Sequence, residues 1–300
     1  MKSNPKRLAY LKACSLVLMA LARGGQAETI VLNPLADTYI GDRFPNQNAG
    51  GEVTLVCGTQ GTMAGLAKNR ALFKFDPGVS IPPGASIDSV RFTLTVTQVP
   101  STPAASRFEL RRILRAWDVN QASWTLRLSP NISWGALGGQ VNTDYTEVVS
   151  ASAVLDEEVG SYLFASTAAA PADVQSWLDD PSTNFGWILM TSQETMAYTA
   201  RRIASADSPA DRPQLEVDYT LPPAPRIASV ALKDGAFSLR FIAEASYCYA
   251  VEYRNSVSAG PWSTLTNLCA RLVAEEVVAT DRITESSKRF YRLGITGRVR

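Results

Sequence analysis

Arg70-Ala71-Leu72-Phe73-Lys74-Phe75-Asp76 alternates without a break. Ala71, Phe73 and Phe75 share one face of an extended chain, and Arg70, Leu72, Lys74 and Asp76 share the other. That period of two predicts a half-buried strand, with one face on a core and the other in solvent. Ile87, Ser89, Arg91 and Thr93 alternate in the same way with Asp88, Val90, Phe92, Leu94 and Val96, and Pro82-Pro83-Gly84 makes the intervening turn. Similar runs at 52–57, 107–114, 185–191 and 214–219 are bounded by turn residues. Only one stretch has helical spacing. Pro171 opens it, Val174, Trp177 and Leu178 share a face, and Asp179-Asp180-Pro181 ends it. Many strands and one short helix predict an all-β chain, with a large jelly-roll-like β-sandwich over residues 28–221.

Beyond it, Leu221-Pro222-Pro223-Ala224-Pro225 reads as a stiff linker, centred on residues 222–225. Residues 226–300 alternate again. Phe237, Leu239 and Phe241 lie on one face, and Tyr247, Tyr249, Val251 and Tyr253 on another. This predicts a small immunoglobulin- or fibronectin type III-like β-sandwich with Trp262 as its core plug.

The start of the chain indicates its destination. Lys2, Lys6, Arg7 and Lys12 precede an apolar run from Ala13 to Ala22 and then Gly25-Gln26-Ala27. This is the pattern of a secretory signal peptide over residues 1–27, cut between Ala27 and Glu28. The apolar run is too short for a membrane span. The expected product is secreted, extracellular or held at a cell surface, with no membrane-spanning segment.

The formal charge of +1 includes five basic residues in that leader, leaving 24 basic against 28 acidic residues after it. Residues 28–221 hold 13 basic and 21 acidic residues, and residues 226–300 hold 11 and 7. The net of −4 after the leader does not suit nucleic acid, which calls for a basic footprint. The chain contains no histidine, which removes the usual general base, zinc ligand and triad partner. Cys248 and Cys269 fall in neighbouring strand-like segments, and an exported protein can oxidise them to a disulfide. Cys57 is left as a small buried hydrophobe.

Residues 30–220 resemble the DNRLRE family, also classed as carbohydrate-binding module family 96. The pieces that carry the resemblance occur in order: Asp37-Thr38-Tyr39-Ile40, Asn48 with Gly50-Gly51, the Arg70–Asp76 strand, and Ile81-Pro82-Pro83-Gly84-Ala85-Ser86-Ile87. Trp117 with Trp124, Val174-Gln175-Ser176-Trp177, Asn184-Phe185-Gly186 and Arg212-Pro213-Gln214-Leu215-Glu216-Val217 complete them. The hexapeptide that names the family is absent. Arg289-Phe290-Tyr291-Arg292-Leu293 is similar to the ending of fibronectin type III-like modules on large secreted bacterial proteins. The resemblance implies a secreted sandwich that binds polysaccharide, with uronate-containing chains such as alginate as the candidate ligand.

Holding a uronate polymer requires fixed cations on a rigid exposed strand. Arg70 and Lys74 lie about 13 Å apart on the outward face of their strand, with Lys68 just before them. Arg111 and Arg115 form a second outward pair. Trp117 and Trp124 flank a short loop and are the candidate sugar-stacking residues, while Trp177 and Trp187 belong to apolar faces. No cofactor is required. A structural calcium would draw oxygen ligands from Asp37 or Asp76, with Asp173 and Asp218 as further carboxylates. The leading expectation is a non-catalytic carbohydrate-binding protein. The alternatives are a structural or adhesive module that engages other cell-surface proteins, and a polysaccharide lyase using Tyr39, Tyr145 or Tyr198 with an arginine.

Overall fold

A computed structural model describes residues 26–269, 273–282 and 288–299. The expected leader lies outside the described residues except at its end, where Ala27 opens the first strand. The first set of strands is β1 (Ala27–Leu32), β2 (Ala36–Gly41), β3 (Thr54–Thr59), β4 (Lys68–Lys74), β5 (Ser86–Gln98), β6 (Ser106–Ile113), β7 (Leu126–Leu128), β8 (Ile132–Ser133), β9 (Tyr145–Leu155), β10 (Gly160–Ser166), β11 (Trp187–Thr191), β12 (Arg201–Ala204) and β13 (Gln214–Thr220). A single helix, α1 (Ala169–Asp179), follows β10. The chain is mostly β, with one α-helix among the described residues.

Eight of these strands close on themselves in the order β5-β10-β9-β6-β11-β4-β3-β12 and back to β5. The strands thus run on as a continuous ring in which β10 and β3 each pair into both parts, extended by β13 and β1 beside β5 and by β2 beside β4. Closure removes the unpaired edges that an open sheet exposes. It works because several strands change partner along their length. β10 pairs with β5 through Gly160–Phe164 and with β9 through Ala165 and Ser166. β3 pairs with β12 through Thr54–Cys57 and with β4 only through Gly58 and Thr59. Gly58 makes that second switch possible: its φ is +100°, and a Cβ there would meet the Thr199 carbonyl oxygen at 2.6 Å.

The ring interior holds one apolar core. Ala71, Phe73 and Phe75 of the diagnostic strand join Phe92, Phe108, Phe164 and Trp187, with α1 contributing Val174, Trp177 and Leu178. Trp177 and Trp187 meet edge-to-face at 4.7 Å, and the Trp187 indole N–H donates to Asp173 Oδ2 at 2.8 Å. Cys57 is buried among them as expected, its thiol donating to the Leu189 carbonyl at 3.2 Å and pushed up to about 12 by desolvation.

The other face of β4 departs from the sequence expectation. A second core, containing Ile40, Leu72, Ile113, Ala122, Trp124, Trp134, Tyr145, Ile188 and Met190, lies on the outer side of β2, β4 and β11. The segment 114–144, which carries the small hairpin β7–β8, supplies Ala122, Trp124 and Trp134 to it. β4 is therefore buried on both faces, and Arg70 is only 8% exposed. Its guanidinium is held bidentately by Glu194, with both N···O distances 2.7 Å, and also donates to the carbonyls of Gly138 and Gly139. Burial opposes this charge, but bonding and attraction to Glu194 outweigh it and hold the pKa above its ordinary value.

The remaining strands are β14 (Arg226–Lys233), β15 (Ala236–Ala243), β16 (Tyr247–Arg254), β17 (Ser263–Cys269), β18 (Glu275–Arg282) and β19 (Phe290–Arg298). They form two three-stranded sheets, β14-β15-β18 and β17-β16-β19, around Leu239, Phe241, Ala243, Tyr249, Val251 and Ala279. Cys248 and Cys269 stand opposite each other on β16 and β17 and are bridged. Trp262 is not the core plug. It is half-buried, with the guanidiniums of Arg254 and Arg292 packed against its ring at 4.4 and 4.5 Å. Phe241 and Tyr249, 5.5 Å apart between ring centres, fill the core instead.

Replacing Glu194 with Ala strands the Arg70 charge in a buried site. We expect a loss of about 3–5 kcal/mol in urea unfolding. Pairing Glu194→Leu with Arg70→Met should recover much of it, because an apolar pair leaves no unpaired charge.

Candidate functional site

β4 is flanked at Asn69 by β2 on one side and β3 on the other. β2 pairs with it from Lys74 to Asn69, while on the opposite side β11 pairs with Ala71–Phe73 and β3 takes over at Asn69 and Lys68. Over Asn69, in the fork between β2 and β3, lies a groove of about 230 Å³. Tyr39 of β2, Val56 of β3, Asn69 of β4 and Arg202 of β12 face it, and the loop after β2 adds Arg43, Phe44 and Gln47. Asn69 fastens the fork. Its amide nitrogen donates to the carbonyls of Gly58 and Ala67 at 3.2 Å each. Its oxygen lies over Gly41, where an added Cβ would be 2.6 Å away, so a small residue is required there.

The loop that carries Arg43, Phe44 and Gln47 is held from outside the ring. Asn48 donates to the carbonyls of Val119 and Ala122 at 2.9 and 2.8 Å and accepts from the Gly50 N–H. Gly50 approaches so closely that a Cβ would sit 2.3 Å from the Val119 oxygen. Thr125 donates its N–H to the Pro45 carbonyl and its hydroxyl to Asn46 Oδ1 at 2.7 Å. The segment 114–144 thus both covers Arg70 and fixes this loop. Phe44 remains 61% exposed, with the Arg43 guanidinium 5.5 Å from its ring centre.

The charge of the groove opposes that of its surroundings. No carboxylate is among its lining residues, although residues 28–221 are acidic overall. Among the described residues, neither Arg43 nor Arg202 is in an ion pair. Two unpaired guanidiniums, an exposed phenyl ring, a tyrosine and three side-chain amides (Gln47, Gln60 and Asn69) are suited to carboxylates, hydroxyls and apolar ring faces.

The cations expected to bind ligand mostly serve the protein itself. Arg70 is unavailable because segment 114–144 and Glu194 bury and neutralise it. Arg111 donates to Glu109 Oε2 and to the Glu147 carbonyl, and Arg115 donates to the Thr143 carbonyl at 3.1 Å. Lys68 and Lys74 are half-buried at the two ends of β4 and line no part of the groove. Arg70, Arg111 and Tyr145 do come together, in a separate cleft of about 460 Å³, but with Glu109, Glu147 and Glu194. Three carboxylates against two arginines make that cleft a poor seat for a uronate.

The expected sugar-stacking tryptophans are likewise occupied. Trp124 is buried, with Arg70 5.3 Å from its ring centre and Gly138 so close that a Cβ would meet the indole at 2.6 Å. Trp117 is half-buried and donates its indole N–H to the Phe185 carbonyl at 2.8 Å. Phe44 was missed because it is not part of an alternating run. Its only sequence signal was a loop rich in Asn, Gln and Pro following a strand.

The carboxylates proposed for calcium do not gather. Asp76 caps a turn by accepting from the Gly78 N–H, Asp218 accepts from Ser89 and Thr29, and Asp173 accepts from Ser150 and Trp187. Asp37 is only 2% exposed and accepts from the Ala206 N–H at 2.7 Å, while its Oδ1 has no partner. Among the described residues no group of three or more His, Cys, Asp or Glu side chains is placed to hold a metal. Neither a protein-family model nor a curated protein matches the chain.

Burial pushes the Asp37 carboxyl up to about 7, against the Ala206 hydrogen bond and with help from Asp207. The folded protein therefore keeps a proton that the unfolded chain has released, and stability falls as pH rises from about 4 to about 7. Asp37→Asn should flatten that slope. In urea unfolding the variant gains on the parent at pH 8 by up to about 4 kcal/mol relative to pH 4.

Proposed function

We propose that this is a secreted, non-catalytic carbohydrate-binding protein that holds an acidic polysaccharide in the fork groove. The observation that carries the reading is the pair of unpaired arginines, Arg43 and Arg202, in a carboxylate-free groove on an otherwise acidic unit. The guanidinium fork matches a uronate carboxylate, Phe44 offers an apolar face to a sugar ring, and the amides meet hydroxyls. The basic leader with its short apolar run supports export. The closed ring is consistent with a jelly-roll-like module of the DNRLRE type, and the two small sheets of β14–β19 with a fibronectin type III-like companion. Tyr39 faces the groove beside Arg43 and Arg202, so the groove also contains the residue types of a lyase. The non-catalytic reading rests on the absence of histidine and on the lack, among the groove's lining residues, of an Asp, Glu, Lys or Cys to share proton transfer with Tyr39, the two arginines staying protonated.

Affinity electrophoresis through gels containing alginate, pectate or a neutral glucan tests this. The chain should be retarded by the uronate gels alone, and retardation should weaken with salt. Arg43→Ala and Arg202→Ala should each lower affinity about tenfold, the value of a charge-assisted hydrogen bond. Lys74→Ala should leave it unchanged. Unretarded wild-type migration, or an unaffected Arg43→Ala/Arg202→Ala double variant, refutes the assignment. Growth of unsaturated-uronate absorbance on incubation would move the protein to the lyases.

A further inference from the structure

The fork groove continues past Arg202. A second open hollow of about 150 Å³ adjoins it, sharing Val56, Gln60 and Arg202 and adding Gln98, Val99 and Pro100. The strand register explains the continuity. Arg202 of β12 stands opposite Val56 of β3 on one side and opposite Gln98 of β5 on the other. At about 4.8 Å between neighbouring strands, Val56, Arg202 and Gln98 form a row about 10 Å long across the sheet. Val56 is buried beneath the arginine and forms the floor of both hollows, while Arg202 and Gln98 are exposed. Between Arg202 and Ile203 the pairing with β5 slips by one residue, leaving Thr97 as the extra residue. Thr97 donates its hydroxyl to the Arg202 carbonyl at 3.3 Å, and such a bulge re-aims neighbouring side chains. The second hollow, like the first, has no carboxylate in its lining.

From this continuity we infer that the ligand is a linear anionic polymer bound by an internal segment, laid across β3, β12 and β5 with Arg202 near its middle. Arg43 and Phe44 hold one stretch, and Gln98 with Pro100 holds the next. The inference rests on the acidic-glycan reading of the fork groove and adds the form of the ligand. A pocket that recognised a chain end would need a closed wall, whereas these two hollows lie side by side over shared residues and are open to solvent. Subsites in series also make affinity depend on length, since each occupied subsite raises the effective concentration of the next sugar.

Titration calorimetry of the full chain tests this with alginate- and pectate-derived oligouronates, from dimer through hexamer, with free or blocked reducing ends. Affinity should rise about tenfold or more from dimer to tetramer and then level off, and blocking the end should change nothing. Gln98→Ala, an exposed substitution within the second hollow, should weaken hexamer binding severalfold and leave dimer binding unaltered. Affinity independent of length, loss of binding on blocking the end, or a hexamer indifferent to Gln98→Ala would each overturn the internal-segment inference while leaving the acidic-glycan reading intact. No binding of any oligouronate or polymer by the wild-type chain would overturn both.

Discussion

The guanidinium of Arg70 links three parts of the molecule that the backbone ladder alone does not. It sits on β4, is clamped by Glu194 from the segment before β12, and reaches the Gly138 and Gly139 carbonyls in segment 114–144. Trp124 and Tyr145 pack against it at 5.3 and 5.8 Å. A buried charge with all these partners tolerates little displacement, because each lost bond would leave an uncompensated group. The same segment then holds the Asn46–Gly50 loop through Val119, Ala122 and Thr125. The groove-lining Arg43 and Phe44 are thus fixed indirectly by an arginine that does not line their groove.

Much of the ring was readable from side-chain alternation, and α1 from a single apolar stripe. β5, β6 and β13 fall where their periods of two place them, and Val174, Trp177 and Leu178 face the core as their spacing requires. The outer face of β4 was misread for a physical reason. Arg70 and Lys74 look the same whether water or a second layer of protein covers them, since a long-range partner such as Glu194 leaves no local mark. Ring closure was also hidden. It depends on partner changes at Gly58 and between Phe164 and Ala165, and one strand's alternation does not say which neighbour it pairs with. The groove was harder still, because four strands and one loop contribute isolated residues to it.

The distribution of arginine partners divides structural cations from available ones. Arg70, Arg91, Arg107 and Arg111 pair with carboxylates, and Arg201 is wrapped by backbone carbonyls from Ala104, Leu155, Asp156, Tyr198 and Ala200. Arg201 and Arg202 are sequence neighbours on one strand, so the pleat sends them to opposite faces. The first is a buried brace, and the second is exposed over the groove. An overall acidic unit would repel a polyanion at long range, but salt screens that repulsion within about a Debye length. Local unpaired guanidiniums then decide whether a carboxylate is held.

The groove lies at the point where the hydrogen-bond ladder changes hands, and this follows from how the ring closes. β3 meets β4 only at Asn69 and Lys68 and pairs with β12 beyond them, while β2 runs along the opposite edge of β4, so no backbone pairing joins β2 to β3 over Asn69. Side chains therefore line the groove, and the Asn69 amide donates to the Gly58 and Ala67 carbonyls at its base. Asp37, two residues from Tyr39 on the same face of β2, adds a buried carboxyl with an unpartnered oxygen close behind it. An apolar residue there would be more stable by itself, since burying an unpaired polar atom costs free energy. Departures from best packing tend to concentrate where a protein binds. The Asp37 carboxyl is one such departure, and the Asp144 carboxyl, next to Tyr145 of the Arg70 cleft, is another, so it is the unpaired Arg43 and Arg202, and not a buried polar atom, that set the groove apart from the cleft.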